Sequence, residues 1–223
     1  MYIIIVGGGD LGFSLAKEFF ANGHEALIIE KDAARCEEVK QELGSISICG
    51  SGSEIATLDR AGIARTDMFI AVTSEDEENL AACQIAKQKF NVPRVIARVN
   101  NPRNEPIFAK LGIDYTVNVV GLVMENIKVL SGIFPLARLF SFKDRGTELI
   151  LAKIPDGSLV GRPLKDLPLP EGAVVTLLIR QGEESKIPVP ETVLRAGDEL
   201  LCLIPGGSEE SLQAALGQGR PAP

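Results

Sequence analysis

A five-residue apolar run, Tyr2–Val6, leads straight into Gly7-Gly8-Gly9-Asp10-Leu11-Gly12, and this junction restricts the chain to very few folds. Gly7, Gly9 and Gly12 fill a G-x-G-x-x-G pattern. The first allows a tight turn out of a strand, the second lets a pyrophosphate approach the backbone, and the third lets the next helix sit close to the strand. That helix, opening at Asp10 and Leu11, offers unpaired N–H groups and the positive end of its dipole to phosphates. The pattern alone is weak. Here a second apolar run, Ala26–Glu30, ends in an acid 18 residues past Gly12. A carboxylate there accepts from ribose hydroxyls and repels a 2′-phosphate, which points to an adenine nucleotide (AMP, ADP or ATP) or NAD(H) and away from NADP.

The alternation continues. Ile46–Cys49, Met68–Val72, Val95–Val99 and Tyr115–Val117 read as further buried strands, with helical segments near 11–22, 33–43, 53–61, 76–90 and 103–111 between them. Residues 1–118 are therefore expected to form an α/β, Rossmann-like, doubly wound parallel sheet. Val119–Phe134 reads as one helix whose stripe of Val123, Ile127, Leu130 and Phe134 needs a partner, either its own domain or a second subunit. Pro135 interrupts it and Leu136–Phe142 continues as a short apolar segment, so residues 119–144 are expected to be linker helices that support dimerisation. From 145 to 206 the texture changes: Leu149–Ile154, Val174–Arg180 and Glu199–Ile204 read as strands between Gly- and Pro-rich turns, a second, smaller α+β domain. Residues 207–223 are expected to hold a terminal helix and a tail, frayed from Gly217.

Further candidates stand at the carboxyl ends of the strands, where open α/β sheets bind ligands. Lys31 follows Glu30, Gly50 and Ser51 follow strand three, and Thr73 and Ser74 follow strand four. Ser74 and Glu77 also fit a capping box. Arg98, ending strand five, is either a phosphate or carboxylate partner across the cleft or half of a surface salt bridge. The run Glu75–Glu78 fits a cation site less well than a set of first-turn dipole partners, and no metal site is expected.

Catalytic groups are scarce. The single histidine, His24, falls in a turn, no Tyr-x-x-x-Lys pattern occurs, and no Cys–His or Ser–His arrangement can be assembled, so a small NAD-dependent oxidoreductase is a poor fit. The net charge of -7 argues against a nucleic-acid partner. Cys36, Cys49, Cys83 and Cys202 show no paired spacing and are expected as reduced thiols of a cytosolic protein. The opening strand has neither a basic leader nor a cleavage site, and the apolar stretch Val117–Phe134 is broken by Asn118, Glu125, Asn126 and Lys128, which hydrocarbon would not tolerate.

Taken together, Gly7–Gly12, Glu30-Lys31-Asp32, the Gly50 turn, Val72-Thr73-Ser74 with Asn79, and Val95–Asn100 resemble the RCK (KTN) domain. Gly161-Arg162-Pro163-Leu164 and Leu194–Leu200 resemble its companion RCK-C (TrkA-C) domain. The resemblance spans nearly the whole chain and implies a cytosolic regulatory subunit of a Trk/Ktr-type potassium uptake system, or a similar sensor serving another transporter. It further implies a homodimer built on the helix after strand six, assembly into a larger ring, and a membrane-embedded potassium-translocating subunit as partner. Cyclic di-AMP at the C-terminal domain is a further ligand known in the family. Two departures stand out. Asp10 occupies a position where the family often has Arg, so a terminal phosphate close by is disfavoured unless Asp10 points into solvent. Val120 and Gly121 replace the Pro-Glu that often follows strand six, which weakens the case for ATP with a bridging metal.

Overall fold

Alternate residues of β1 (Tyr2–Val6) supply two different cores. Ile3 and Ile5 join Ala16, Ile28, Val39 and Ile70 on one face, whereas Ile4 and Val6 join Leu58, Phe69, Val95 and Phe108 on the other. A strand covered on both faces can be apolar at every position, which is why it lacks polar alternation. The computed structural model describes residues 1–113, 115–131, 133–142 and 146–217. They divide into two units, Met1–Gly121 and Leu122–Pro223.

The first unit runs β1, α1 (Asp10–Ala21), β2 (Glu25–Glu30), α2 (Ala33–Leu43), β3 (Ser47–Cys49), α3 (Ile55–Arg60), β4 (Met68–Ala71), α4 (Asp76–Gln84), β5 (Arg94–Val99), α5 (Glu105–Lys110) and β6 (Tyr115–Asn118). The strands form one parallel sheet in the order β3-β2-β1-β4-β5-β6. The chain leaves β1 toward β2 on one side and returns to β4 on the other, so a crevice opens at the carboxyl ends of β1 and β4. The helix expected over 76–90 is α4 followed by a π-helical turn, Ile85–Lys89, and the chain reverses at Asn91 with φ 52°.

The helix α6 (Val119–Ser131) begins directly after β6 and ends short of the expected Phe134. The second unit contains β7 (Leu136–Phe142), β8 (Thr147–Lys153), β9 (Val174–Ile179), β10 (Glu199–Pro205) and α7 (Glu209–Ala215), with an antiparallel sheet in the order β7-β8-β10-β9. Ile150, Leu178, Leu200, Cys202 and Leu212 fill its core. Here Leu136–Phe142 departs from expectation. It is no linker helix but an edge strand, paired from Leu136 opposite Ala152 to Phe142 opposite Thr147. A register shift between Arg138 and Phe140 and apolar residues on both faces remove the two-residue period from the sequence. At the turn before β10, Asp198 is buried and accepts Arg180 Nε and Nη2 at 2.7 Å each, with Arg195 N at 2.8 Å. The tail expected beyond Gly217 lies outside the described residues.

The cysteines also depart from expectation. Cys36 and Cys49 form a disulfide, with Cα atoms 5.8 Å apart. The topology brings them together: α2 starts at the carboxyl end of β2, and β3, parallel to β2, finishes at that same edge. A spacing of 13 residues gives no hint of this. Cys83 and Cys202 are buried free thiols, and burial pushes Cys202 up to about 12.

Candidate functional site

The crevice at the β1–β4 junction is a cavity of about 240 Å³. Gly7, Gly9, Asp10, Leu11, Glu30, Lys31, Gly50, Thr73, Ser74 and Arg98 border it, so the fold gathers all the expected site residues except Gly12 and Ser51. Gly12 faces inward: a Cβ there would sit 1.9 Å from the Gly7 carbonyl oxygen, so its role is to let α1 approach the loop. Ser51 turns its hydroxyl to Ser53, 2.8 Å away, and shapes the loop after β3.

The loop geometry is that of a tight glycine turn running into a helix. Gly7 has φ +105°, which L side chains rarely adopt, and donates to Ile29 O at 2.8 Å. Gly9 caps α1 with φ -64° and ψ -177°, and an added Cβ would meet nothing within 4 Å. Gly9 therefore needs no left-handed backbone; its missing side chain leaves the cleft open above the helix start. Glu30 holds the loop. Its Oε2 accepts Gly8 N at 2.6 Å and its Oε1 accepts Asp32 N at 2.8 Å. Each oxygen keeps a further lone pair for a hydroxyl donor.

Charges in the cleft are mostly paired. Lys31 donates to Glu78 at 3.0 Å, and this hydrogen bond raises the Lys31 pKa. Asp10 borders the cleft, yet its carboxylate lies wholly in solvent, 3.7 Å from Arg35 Nη2. Arg35 in turn donates through Nε to Gly8 O at 2.7 Å and through Nη1 to Glu38 at 2.9 Å. The expectation that Asp10 repels a terminal phosphate thus loses its footing, because the charge is solvated and has a cation beside it. Arg98 differs: its Nε is buried without a hydrogen-bond partner, and among the described residues no carboxylate pairs with its guanidinium. Among the described residues Arg98 therefore forms no surface salt bridge.

Behind the far wall, Asn79 is fully buried and ties two strand ends together. Its Oδ1 accepts Thr73 N at 2.9 Å, and its Nδ2 donates to Thr73 O and Arg98 O at 3.1 Å each. Ser74 makes no capping box, since α4 starts at Asp76 and its N-cap, Glu75, has no side-chain cap. The acidic run is dispersed. Asp76 turns inward to Asn100 N at 2.6 Å, Asn101 N at 3.0 Å and Asn104 Nδ2 at 2.8 Å. Burial raises the Asp76 pKa, but these hydrogen bonds outweigh it and hold the carboxyl below its ordinary range. Among the described residues no group of His, Cys, Asp and Glu could hold a metal ion.

Sequence reading missed several lining residues. Val6, Ile29 and Val72 form an apolar floor, and Glu78 stands opposite Lys31. Gly52 lines the cleft as well, and a Cβ on it would lie 2.4 Å from Val6 Cγ1. His24 precedes β2, at the sheet edge away from the cleft.

Fold and domain order define a two-domain chain of the TrkA-N/TrkA-C type: residues 3–119 match the TrkA-N domain and residues 149–217 the TrkA-C domain. A "Trk system potassium uptake protein TrkA homolog" of Methanothermobacter thermautotrophicus is 31% identical over 92% of this chain and 94% of its own. The "Trk system potassium uptake protein TrkA" of Mycobacterium tuberculosis is 32% identical over 97% and 98%. The chain belongs to the TrkA family. Among solved structures, the RCK domain of GsuK superposes with a TM-score of 0.53 at 20% identity, covering 98% of this chain and 47% of that one. The GsuK channel bound to NAD gives 0.52 at 19%, covering 98% and 39%. The chain thus spans less than half the length of the GsuK chains it matches.

Proposed function

We propose that this chain is a cytoplasmic regulatory subunit of a potassium transport system, sensing an adenine nucleotide or NAD(H) in the β1–β4 cleft without catalysing a reaction on it. The observation that carries the ligand half is Arg98, which lines the cleft opposite the glycine turn and whose guanidinium has no carboxylate partner among the described residues. In this reading Gly7, Gly9, Leu11 and Gly12 form the pyrophosphate turn with Asp10 at its rim. Glu30 and Lys31 serve the ribose, and Gly50 and Ser51 shape the adenosine side. Thr73, Ser74 and Arg98 take whatever extends past the first phosphate. Among the described residues no histidine, cysteine or tyrosine lines the cleft, which favours a sensor over an oxidoreductase.

Gating follows from population shift: a ligand biases the assembly only by its differential affinity for two geometries. The apolar residues of α6 support a homodimer, because Val123, Ile127 and Leu130 are 53%, 50% and 86% exposed. Such dimers would build a larger ring under a membrane-embedded potassium-translocating partner. Among the described residues no helix is long and apolar enough to cross a membrane. Native mass spectrometry of gently purified protein tests the assembly and any retained nucleotide together. Calorimetric titration with NADH, AMP, ADP and ATP ranks the ligands, and failure of all four to bind would overturn the reading.

A further inference from the structure

Cys36 and Cys49 carry a chemistry that nucleotide sensing does not use. Cys49 ends β3, is exposed, and immediately precedes Gly50 of the cleft. Lys40 Nζ lies 3.8 Å from its sulfur, sharing its charge with Glu37 at 3.7 Å, and Arg60 donates to the Cys49 carbonyl at 3.2 Å. An ammonium beside a thiol favours the thiolate, the nucleophilic form. Cys36 is fully buried near the start of α2, within bonding reach of Cys49. An exposed, cation-flanked cysteine with a sheltered second thiol is the arrangement of a peroxide-reactive cysteine and its resolving partner. Cys83 and Cys202, by contrast, are both buried.

We propose that Cys49 and Cys36 form an oxidation site for hydrogen peroxide, with Cys49 attacking and Cys36 resolving. The Cys49 thiolate attacks one peroxide oxygen, the O–O bond breaks, and Cys49 becomes a sulfenic acid while hydroxide leaves and takes up a proton as water. The Cys36 thiol then attacks the Cys49 sulfur. The S–S bond forms, the S–O bond breaks, and the Cys36 proton leaves with the hydroxyl as a second water. Two electrons pass from the sulfur pair to the peroxide. A dithiol reductant reverses the change by exchange, becoming a disulfide itself. The crosslink fastens α2, which follows Glu30, to the strand end before Gly50, so it fixes one wall of the cleft. That consequence rests on the nucleotide reading; the sulfur chemistry does not.

The full-length protein, reduced and freed of reductant, is labelled with iodoacetamide before and after hydrogen peroxide and followed by peptide mass spectrometry. Cys49 is expected to label about tenfold faster than Cys83 or Cys202. Peroxide should remove the Cys36 and Cys49 labels together and join their two peptides within one chain. Lys40→Met should slow Cys49 labelling severalfold near neutral pH and leave it unchanged at about pH 10, where the thiol ionises unaided. Cys36→Ser should stop at a sulfenic acid that dimedone traps. Cys49 reacting no faster than the buried thiols, equal rates in Lys40→Met, or peroxide joining other cysteines would each overturn the site. ADP titration of the oxidised and reduced forms tests the link to the cleft. An affinity change of about threefold that disappears in Cys49→Ser supports it, and equal affinities overturn it. Absence of ADP binding in both forms counts against the nucleotide reading, while the peptide result still judges the oxidation site.

Discussion

Replacing Gly9 by Val should separate binding from folding. The backbone at Gly9, φ -64° and ψ -177°, is open to any residue, and a Cβ meets nothing within 4 Å. The fold loses only the preference for glycine at a helix N-cap, about 1 kcal/mol. The ligand loses more. A phosphate oxygen accepting from backbone N–H groups sits about 2.9 Å away, whereas contact with a methyl carbon needs about 3.5–4 Å. The phosphate is thus held off, and two charge-assisted hydrogen bonds worth about 1.5–3 kcal/mol each fail to form. The expected loss is about 3–6 kcal/mol, or a factor of about 10² to 10⁴ in affinity. Gly12→Ala is the counterpart: with Gly7 O 1.9 Å from the new Cβ, α1 must retreat, and the cost falls on stability, about 1–3 kcal/mol or more. Calorimetry with ADP and NADH, paired with urea denaturation of each variant, reads both quantities. Undiminished affinity in Gly9→Val would refute the reasoning, as would a Gly12→Ala protein as stable as the parent.

Arg98→Gln should weaken ADP and NADH about tenfold or more and AMP less, with little loss of stability, because Arg98 Nε has no partner to lose; equal losses for the three nucleotides would contradict this. Ile127→Asp places a charge on the exposed apolar face of α6 and should shift the sedimentation profile from dimer to monomer, or aggregate the protein. Asp198→Asn should destabilise the second unit by about 3 kcal/mol, measured by thermal and urea unfolding, since it breaks a pair in which Asp198 is 1% exposed. Burial raises the Asp198 pKa, but the Arg180 hydrogen bonds and the Arg195 N–H outweigh it and lower the folded value. The stability it contributes is therefore present above the unfolded carboxyl pKa and is lost as pH falls through the folded one, so wild type and Asp198→Asn should converge in acid.

Features set by neighbours in sequence were legible. β1, the glycine turn, Glu30 and the alternation up to β6 depend on local apolar runs and on residues needed at fixed offsets. Contacts made across the sheet were not. Arg35 reaches the Gly8 carbonyl from 27 residues away, and Glu78 reaches Lys31 across 47. Both look like ordinary charges on helices until the sheet order makes them neighbours. The Ser74-x-x-Glu77 pattern was present and misleading: Thr73 Oγ1 accepts the Glu75 N–H at 3.2 Å and Asn79 holds Thr73, so the helix starts later than the pattern implies. β7 was hidden for the reason common to edge strands, that its partner β8 decides its conformation more than its own sequence does.

The single amide of Asn79 has a mechanical consequence. Because it clasps Thr73 on both N–H and C=O and the Arg98 carbonyl as well, the ends of β4 and β5 cannot slide past one another without breaking buried hydrogen bonds. Asp76 adds a second clasp from the start of α4 to Asn100 and Asn101 just beyond β5. β4 also stays paired with β1, so the two clasps join the ends of β4 and β5 to one continuous sheet, and a displacement of the Arg98 backbone must strain the hydrogen bonds that hold Asn79 of α4.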